Sequence, residues 1–355
     1  MFAKRFPDHL QNLNVQIPKT ANDQKTPSLT TTMKIFFGIL LRICLVSGCI
    51  WYVSNDLDFG ALLSTLSGFA PLLVLLSAVL ILLTAVIPAL RLRFLINDSV
   101  AFVTSFNAIL FGLGINNILP AKLGELSKAY YLRQISGVPF TKGLGAIFWE
   151  RFADLNAILL IGLVAIGGHD TPLYVLPLGC FVGLLWAMLL LNKRHPTIIK
   201  KYTGFIPFTK PRDLLREIFR HLEHPFSPTF LLLLAGHTAV SWMGFLGIQA
   251  FVLLYVAGLD LTLVQFLVVF TLSSLSFAIP SSPGALGLFE ASIVLGLGLA
   301  GIDKSTALAT ALLLHMVQYV PTTLWSLGLM SVAKINPQSI RQESVQACAS
   351  PGEGR

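Results

Sequence analysis

Long apolar runs, separated by short polar stretches, dominate the chain. The runs are residues 34–53, 62–90, 101–119, 143–167, 172–191, 230–257, 261–279, 285–300 and 305–333. A helix needs about 20 apolar residues to cross the hydrocarbon core of a bilayer, and several runs reach that length. The pattern therefore predicts an all-helical, polytopic membrane protein. Composition agrees, because 54% of the residues are hydrophobic and 12% are charged, which lies outside the range of soluble domains.

The polar stretches divide the chain into one membrane domain and two tails. Residues 1–33 are polar, contain three prolines and lack the apolar core of a cleavable signal, which favours a disordered tail. The membrane domain is predicted over residues 34–333, and residues 334–355 form a second polar tail. The four cysteines show neither CxxC pairs nor zinc-ligand spacing, so we expect no metal and no cofactor.

The basic residues predict the orientation of the chain. Of the 25 Lys and Arg residues, 22 fall in the two tails or in polar stretches that can share one side of the membrane. Cytoplasmic loops of membrane proteins are enriched in Lys and Arg, so both termini are predicted to be cytoplasmic. The protein itself is predicted to lie in the inner membrane of the cell. The net charge of +8 is thereby explained by orientation, and no nucleic-acid partner is expected.

Two apolar stretches are interrupted by proline and glycine. With this orientation, residues 101–142 begin and end inside, whereas residues 261–304 begin and end outside. Each is predicted to be a re-entrant hairpin of two half-helices, entered from opposite faces, beside about six complete spans. Such inverted repeats of broken helices are typical of transporters. The residues predicted to form the breaks are Pro120, Gly124, Pro283, Gly284 and Gly287.

Polar and ionisable residues near these breaks are the candidate functional residues. At membrane depth such side chains are costly and usually mark a site that faces water or a partner charge. The candidate substrate-binding residues are Asn116, Asn117, Lys122, Glu125, Arg151, Asp154 and Glu290. Lys122 and Arg151 are expected to donate hydrogen bonds to a lipid phosphate, which suits guanidinium geometry.

Structural alternatives remain open for several of these residues. Glu125 and Glu290 could instead cap half-helices, with the carboxylate near the positive end of the helix. Arg151 and Asp154 are three residues apart and could form a purely structural ion pair. Asn116 and Asn117 could satisfy unwound backbone. For His237 and His315, both in predicted spans, interhelical hydrogen bonding is favoured over a proton relay.

The order of these motifs resembles that of a known membrane family. The motifs are Asn116-Asn117-Ile118-Leu119-Pro120, Gly124-Glu125, Glu150-Arg151 with Asp154, and Pro283-Gly284 with Gly287 and Glu290. Together they resemble the lysylphosphatidylglycerol synthase transmembrane family over roughly residues 34–333. In long members, the resemblance implies a flippase-like membrane region followed by a cytosolic aminoacyltransferase domain. Because only a short tail follows Lys334, we expect the translocating part alone here.

The resemblance implies a lipid translocase whose substrate is an anionic phospholipid, a glycolipid, a polyprenyl-linked lipid or a hopanoid. Two alternatives remain. One is an intramembrane transferase that uses a lipid or polyprenyl donor, with Glu125 as base. The other is a non-catalytic subunit of a cell-envelope pathway, which would make envelope biosynthesis enzymes its partners. A transporter is favoured over an enzyme, because no nucleophile pair or second domain is visible in the sequence.

Overall fold

A computed structural model describes residues 29–97, 100–119, 123–166, 175–194, 227–279 and 282–333. The chain forms two compact units, residues 1–41 and 42–355, and all contacts discussed below lie within the second. Pro120 and Lys122 fall outside the described residues.

The described residues form helices and no strand, which confirms the predicted all-helical class. The α-helices are α1 Leu29–Ser54, α2 Phe59–Gly68, α3 Pro71–Leu83, α4 Val86–Leu95, α5 Phe102–Ile118, α6 Leu123–Ser136, α7 Phe140–Ile166, α8 Val175–Arg194, α9 Pro228–Ala250, α10 Leu263–Ser276, α11 Leu288–Leu299 and α12 Lys304–Ala333. A π-helical turn, Phe251–Val256, continues α9, and a 3-10 turn, Pro283–Ala285, precedes α11.

Three continuous stretches of the described residues are long and apolar enough to cross a bilayer unaided: residues 71–95, 228–256 and 304–332. Residues 62–90, predicted as one span, do not form a single helix, because α2 ends at Gly68 and a new helix begins at Pro71. Proline disfavours helical backbone at the preceding residue, and Ala70 is accordingly extended. As a result the spanning stretch continues to Leu95, and Arg91 lies inside it rather than at its end.

The first predicted break separates two helices that pack antiparallel. The ring of Tyr131 of α6 packs at a tilt against that of Phe111 of α5, with ring centroids 5.2 Å apart. Nearer the break the backbones almost touch, since a Cβ atom added at Gly124 would lie 2.0 Å from the carbonyl oxygen of Gly112. Helices α5 and α6 therefore form a tight hairpin that requires glycine at the contact.

The second predicted break also separates two antiparallel helices. The rings of Phe277, just after α10, and Phe289 of α11 lie 5.1 Å apart. Between them the backbone adopts left-handed conformations at Gly284 and Gly287, with φ values of 62° and 84°. Ala285 is left-handed too, with φ of 59°, although L-residues other than glycine rarely adopt this conformation. The break is thus an irregular turn whose backbone conformation includes three residues with positive φ.

Helix α12 contacts both breaks. The hydroxyl of Tyr319 donates a hydrogen bond to the backbone oxygen of Asn117 at 2.9 Å. The same ring lies against Gly284, where an added Cβ atom would be 2.6 Å from Cε2 of Tyr319. The ends of the two hairpins therefore meet on α12, at Tyr319.

Candidate functional site

Helices α4, α6 and α7 bring six ionisable side chains together, here called the charged cluster. Its members are Arg91, Glu125, Lys128, Glu150, Arg151 and Asp154. Helical spacing explains the local grouping, because residues three or four apart share a helix face. Three side chains are basic and three are acidic, so the formal charge of the cluster is zero.

Arg91 and Asp154 form the most enclosed pair in the cluster. The two guanidinium NH₂ groups of Arg91 donate hydrogen bonds to the two carboxylate oxygens of Asp154 at 2.7 and 3.3 Å. Arg91 also donates to the hydroxyl of Thr238 on α9 at 3.1 Å. From the same helix, the indole N–H of Trp242 donates to Asp154 at 3.1 Å. This fork-shaped pairing ties α4, α7 and α9 together.

Arg151 continues the network toward α6. Its guanidinium lies 2.6 Å from a carboxylate oxygen of Glu125 and 3.5 Å from one of Asp154. Glu125 in turn lies 3.4 Å from the ammonium nitrogen of Lys128. That nitrogen is 2.5 Å from a carboxylate oxygen of Glu150. The charges therefore alternate along one connected chain of contacts.

Burial differs sharply along this chain. Arg91, Lys128 and Glu150 have side-chain exposures of only 4%, 5% and 1%. Taking such charges out of water costs several kcal/mol per ion unless partners compensate. Arg151 is different, because 53% of its side chain is exposed although both of its acidic partners are largely enclosed. Arg151 is thus the most exposed member of an otherwise largely buried network, in which it connects Asp154 with Glu125.

The structure brings together three of the predicted site residues, Glu125, Arg151 and Asp154. The anticipated contact between Arg151 and Asp154 is present at 3.5 Å. It is not the main contact of either residue, because Arg151 lies closer to Glu125 and Asp154 lies closer to Arg91.

The two asparagines before the first break hold backbone and neighbouring helices. The side-chain oxygen of Asn116 accepts a hydrogen bond from the N–H of Gly124 at 2.8 Å, at the start of α6. The side-chain amide of Asn117 donates to the backbone oxygen of Tyr319 and to the hydroxyls of Thr322 and Thr323, at 3.0–3.2 Å. Asn116 thus satisfies backbone at the break, as one alternative predicted, whereas Asn117 also fastens α5 to α12.

Glu290 lies at the second break and caps a helix. One carboxylate oxygen accepts a hydrogen bond from the N–H of Gly287 at 2.7 Å, which is the capping alternative. The other oxygen lies 2.5 Å from Nδ1 of His315 on α12. His315 therefore bonds between helices, as expected, whereas His237 bonds to Leu233 of its own helix.

Sequence reasoning missed two basic members of the charged cluster. Neither Arg91 nor Lys128 was among the candidate residues, yet both side chains are buried in ion pairs. Lys128 carried a signal, because it follows Glu125 by three residues. Arg91 carried none, because Asp154 is 63 positions away.

Comparison with known proteins now identifies the family. The model of the lysylphosphatidylglycerol synthase transmembrane region matches residues 39–326. The chain belongs to this family. The match includes both hairpins, the charged cluster and the pair formed by Glu290 and His315, so the earlier resemblance is confirmed over the whole candidate site.

Several relatives of this family member are membrane proteins of archaea. The chain is 25% identical to the UPF0104 membrane protein MJ1078 of Methanocaldococcus jannaschii, over 62% of this chain and 95% of the relative. It is 23% identical to a UPF0104 membrane protein of Methanothermobacter thermautotrophicus, over 82% and 92%. Glycosyltransferase AglD of Haloferax volcanii is 23% identical over 90% of this chain but only 58% of AglD. The apolar helices and these relatives agree that the protein is a multi-pass membrane protein.

Proposed function

We propose that this protein moves an anionic or glycosylated lipid between the leaflets of the membrane, with Arg151 binding the headgroup. The observation that carries the proposal is the half-exposed side chain of Arg151 within a buried, charge-balanced network. A charge that served packing alone would be enclosed like Arg91. An exposed guanidinium offers donors that match phosphate oxygens in pairs.

The contacts of Arg151 provide a route for exchange. Glu125 holds the guanidinium at 2.6 Å while also lying near Lys128. A lipid phosphate that replaces Glu125 at Arg151 leaves this carboxylate with Lys128 as a remaining partner. Lipid binding therefore does not strand an unpaired charge, which would otherwise cost several kcal/mol. Lys122, near the first break in the sequence, is proposed as a second donor.

The two hairpins supply the proposed transport framework. Their breaks meet at Tyr319, and broken helices that meet inside a membrane are a recurrent transporter arrangement. We place them as oppositely inserted re-entrant hairpins, with both termini in the cytoplasm and a hydrated path past Glu125 and Glu290. The half-helix ends then approach the headgroup without exposing irregular backbone to lipid.

The glycosyltransferase name of AglD favours a glycosylated lipid substrate and envelope biosynthesis enzymes as partners. It also raises a second candidate, a lipid-dependent transferase with Glu125 as base. The geometry disfavours this alternative, because Glu125 contacts both Arg151 and Lys128 and two cations make a carboxylate a poorer proton acceptor. Chemical conversion of the lipid, instead of its movement, would support the transferase.

Reconstitution of the purified chain into proteoliposomes tests the proposal. Vesicles carry a headgroup-labelled phosphoglycolipid or phosphatidylglycerol, and a membrane-impermeant quencher reports passage between leaflets. Arg151→Ala should abolish passage, whereas the matched control Lys142→Ala, on the same helix, should pass lipid at the wild-type rate. Absence of passage by the wild-type protein, or normal passage by a folded Arg151→Ala variant, would refute the proposal.

A double variant separates headgroup binding from a purely structural ion pair. Removing Arg151 and Glu125 together leaves Arg91 with Asp154 and Lys128 with Glu150, so the remaining charges stay paired. If Arg151 binds the headgroup, Glu125→Ala with Arg151→Ala should be as stable as the wild type or nearly so, yet inactive. Recovery of lipid passage by this double variant would assign Arg151 a structural role only.

A further inference from the structure

A second polar site lies apart from the charged cluster, at the break before α11. Glu290 and His315 are 7% and 5% exposed. One carboxylate oxygen of Glu290 caps the helix at Gly287, and the other contacts Nδ1 of His315. The ring centroids of Phe289 and Tyr319 lie 4.9 and 5.5 Å from that of the imidazole, so two aromatic rings pack against it.

Among the described residues, no lysine or arginine forms an ion pair with Glu290 or His315. Helices α2, α3, α5 and α10 pack against α11 or α12, and their sequences contain no ionisable side chain. Tyr319 on α12 lies 5.5 Å from His315. Helix α1 lies against Gly287 through Val46 and Ile50. Its ionisable residues in the second unit are Arg42, Cys44, Cys49 and Tyr52.

The surroundings therefore favour one bound proton on the pair. With that proton, the two side chains are neutral overall, either as carboxylate and imidazolium or as carboxylic acid and imidazole. When the proton leaves to water, one net negative charge remains, which apolar surroundings oppose. Histidine is the side chain whose ordinary titration falls between about pH 5 and pH 8. No comparable change is available to the charged cluster, where every carboxylate faces a lysine or an arginine.

The position of the pair connects its protonation to both hairpins. Glu290 holds the first turn of α11 directly after the left-handed residues of the second break. His315 is one helical turn from Tyr319, which contacts Asn117 before the first break. A change in the hydrogen bonding of Glu290 and His315 is thus transmitted along α12 to the place where the breaks meet.

We propose that Glu290 and His315 form a proton-binding site, and that loading and unloading of this proton couples lipid movement to a transmembrane proton gradient. The coupling rests on the proposed function, whereas the proton site does not. The ligand is a single proton exchanged with water, and no covalent bond to carbon changes.

Nuclear magnetic resonance of the full chain, labelled at the histidine ring carbons and held in lipid nanodiscs, tests the site without any transport. The signal lost in His315→Gln identifies His315, and the signal lost in His237→Gln provides the control histidine. We expect the His315 signal to change with pH, because its ring takes part in binding the proton of the pair. Glu290→Gln should lower the proton affinity of His315 about tenfold or more, because the anion that stabilises the imidazolium is gone, and should leave His237 unchanged.

A His315 signal that does not change with pH would overturn the proposal of a proton site. So would a pH dependence that is the same in the wild type and in Glu290→Gln. If His315→Gln does not fold, His315→Asn assigns the signal instead.

Proteoliposomes with and without an imposed proton gradient test the coupling. The gradient should change the rate of lipid passage severalfold in the wild type and in His237→Gln, and the ratio of the two rates should fall to about one in His315→Gln. Lipid passage that ignores the gradient in the wild type would overturn the coupling. Titration of His315 in a protein that moves no lipid would leave the proton site standing and refute the proposed function instead.

Discussion

The carboxylates beside the two breaks, Glu125 and Glu290, have different kinds of charged partner. Beside the first break, Glu125 lies between two permanent cations, Arg151 and Lys128. At the second break, the carboxylate of Glu290 has a histidine as its ion-pair partner and a backbone N–H at the helix start. Lysine and arginine keep their charge through the physiological range, whereas histidine can lose its charge there.

Under the proposed function, this difference gives the two hairpins different roles. A site with permanent cations can hold an anionic headgroup at any physiological pH. A site with one shared proton changes its net charge in response to the surroundings. Because both breaks rest on α12 at Tyr319, a single helix connects the proposed headgroup site with the proposed proton site.

The largest expected effect is the loss of the buried pair between Arg91 and Asp154. Arg91→Ala leaves a buried carboxylate without its main cation, which typically costs about 3–5 kcal/mol. His315→Gln should cost less, about 1 kcal/mol, because glutamine can still donate a hydrogen bond to Glu290. The free energy of unfolding, measured by detergent titration of the purified protein, distinguishes the two.

Lys142→Ala provides the control for this comparison, since it removes a basic residue that lies only partly buried at the start of α7. It should change stability by less than about 0.5 kcal/mol. Equal losses from Arg91→Ala and Lys142→Ala would contradict the assignment of Arg91 to a structural network.

The next largest effect should come from the helix contacts within each hairpin. Gly124→Ala places a Cβ atom 2.0 Å from the backbone oxygen of Gly112, which a rigid backbone cannot accommodate. We expect a loss of about 2–3 kcal/mol, typical of overpacking. Gly296→Ala, in the second hairpin, meets Val269 at 3.0 Å and should cost less. Thermal stability in detergent measures both.

Gly183→Ala serves as the control, because a Cβ atom there meets nothing within 4 Å. If Gly296→Ala destabilises the protein more than Gly124→Ala, the first hairpin is not the more tightly packed of the two.

A smaller effect is expected from the hydrogen bonds that join the first break to α12. Asn117→Ala removes the amide that donates to Thr322, Thr323 and the backbone of Tyr319. Leaving such partly buried acceptors without a donor should cost roughly 1–2 kcal/mol. If the breaks communicate through α12, the variant should also weaken the response of lipid passage to a proton gradient. An unchanged response would show that Asn117 is not part of that connection.

Local sequence signals predicted much of this arrangement. Proline and glycine marked both breaks, because their backbone effects act within a few residues. Glu290 could be recognised as a possible helix cap, and the spacing of Arg151 and Asp154 indicated a contact. Each of these features depends on neighbours in the chain.

The network around these features could not be predicted in the same way. Arg91 looks like an ordinary charge at the end of an apolar run, and its partner lies 63 residues away on another helix. The same holds for Lys128 and Glu150, which are 22 positions apart. The neighbouring sequence does not distinguish a basic residue that flanks a membrane from one that is buried in an ion pair. Packing between helices determines which of the two applies.

The smallest effect is expected from substitution of Asp303. This substitution distinguishes the effect of pH on the proposed proton site from the effect of pH on an ordinary carboxylate. Its carboxylate accepts a hydrogen bond from the N–H of Thr306 at 2.9 Å and caps α12. Hydrogen bonding from the Thr306 backbone lowers the pKa of Asp303 below its usual range. The stabilisation is therefore complete above the unfolded value of about 3.9 and is lost as the pH falls through the lower folded value. Asp303→Ala should cost about 1 kcal/mol or less at neutral pH, as for other helix caps.

Measuring stability against pH in both variants tests this separation. Asp303→Ala should reduce the dependence of stability on pH in the acid range only, because its carboxylate is fully ionised near neutrality. His315→Gln should instead change the dependence of stability on pH above that acid range. Loss of the dependence near neutral pH in Asp303→Ala would show that the cap of α12, rather than the pair of Glu290 and His315, responds to protons there.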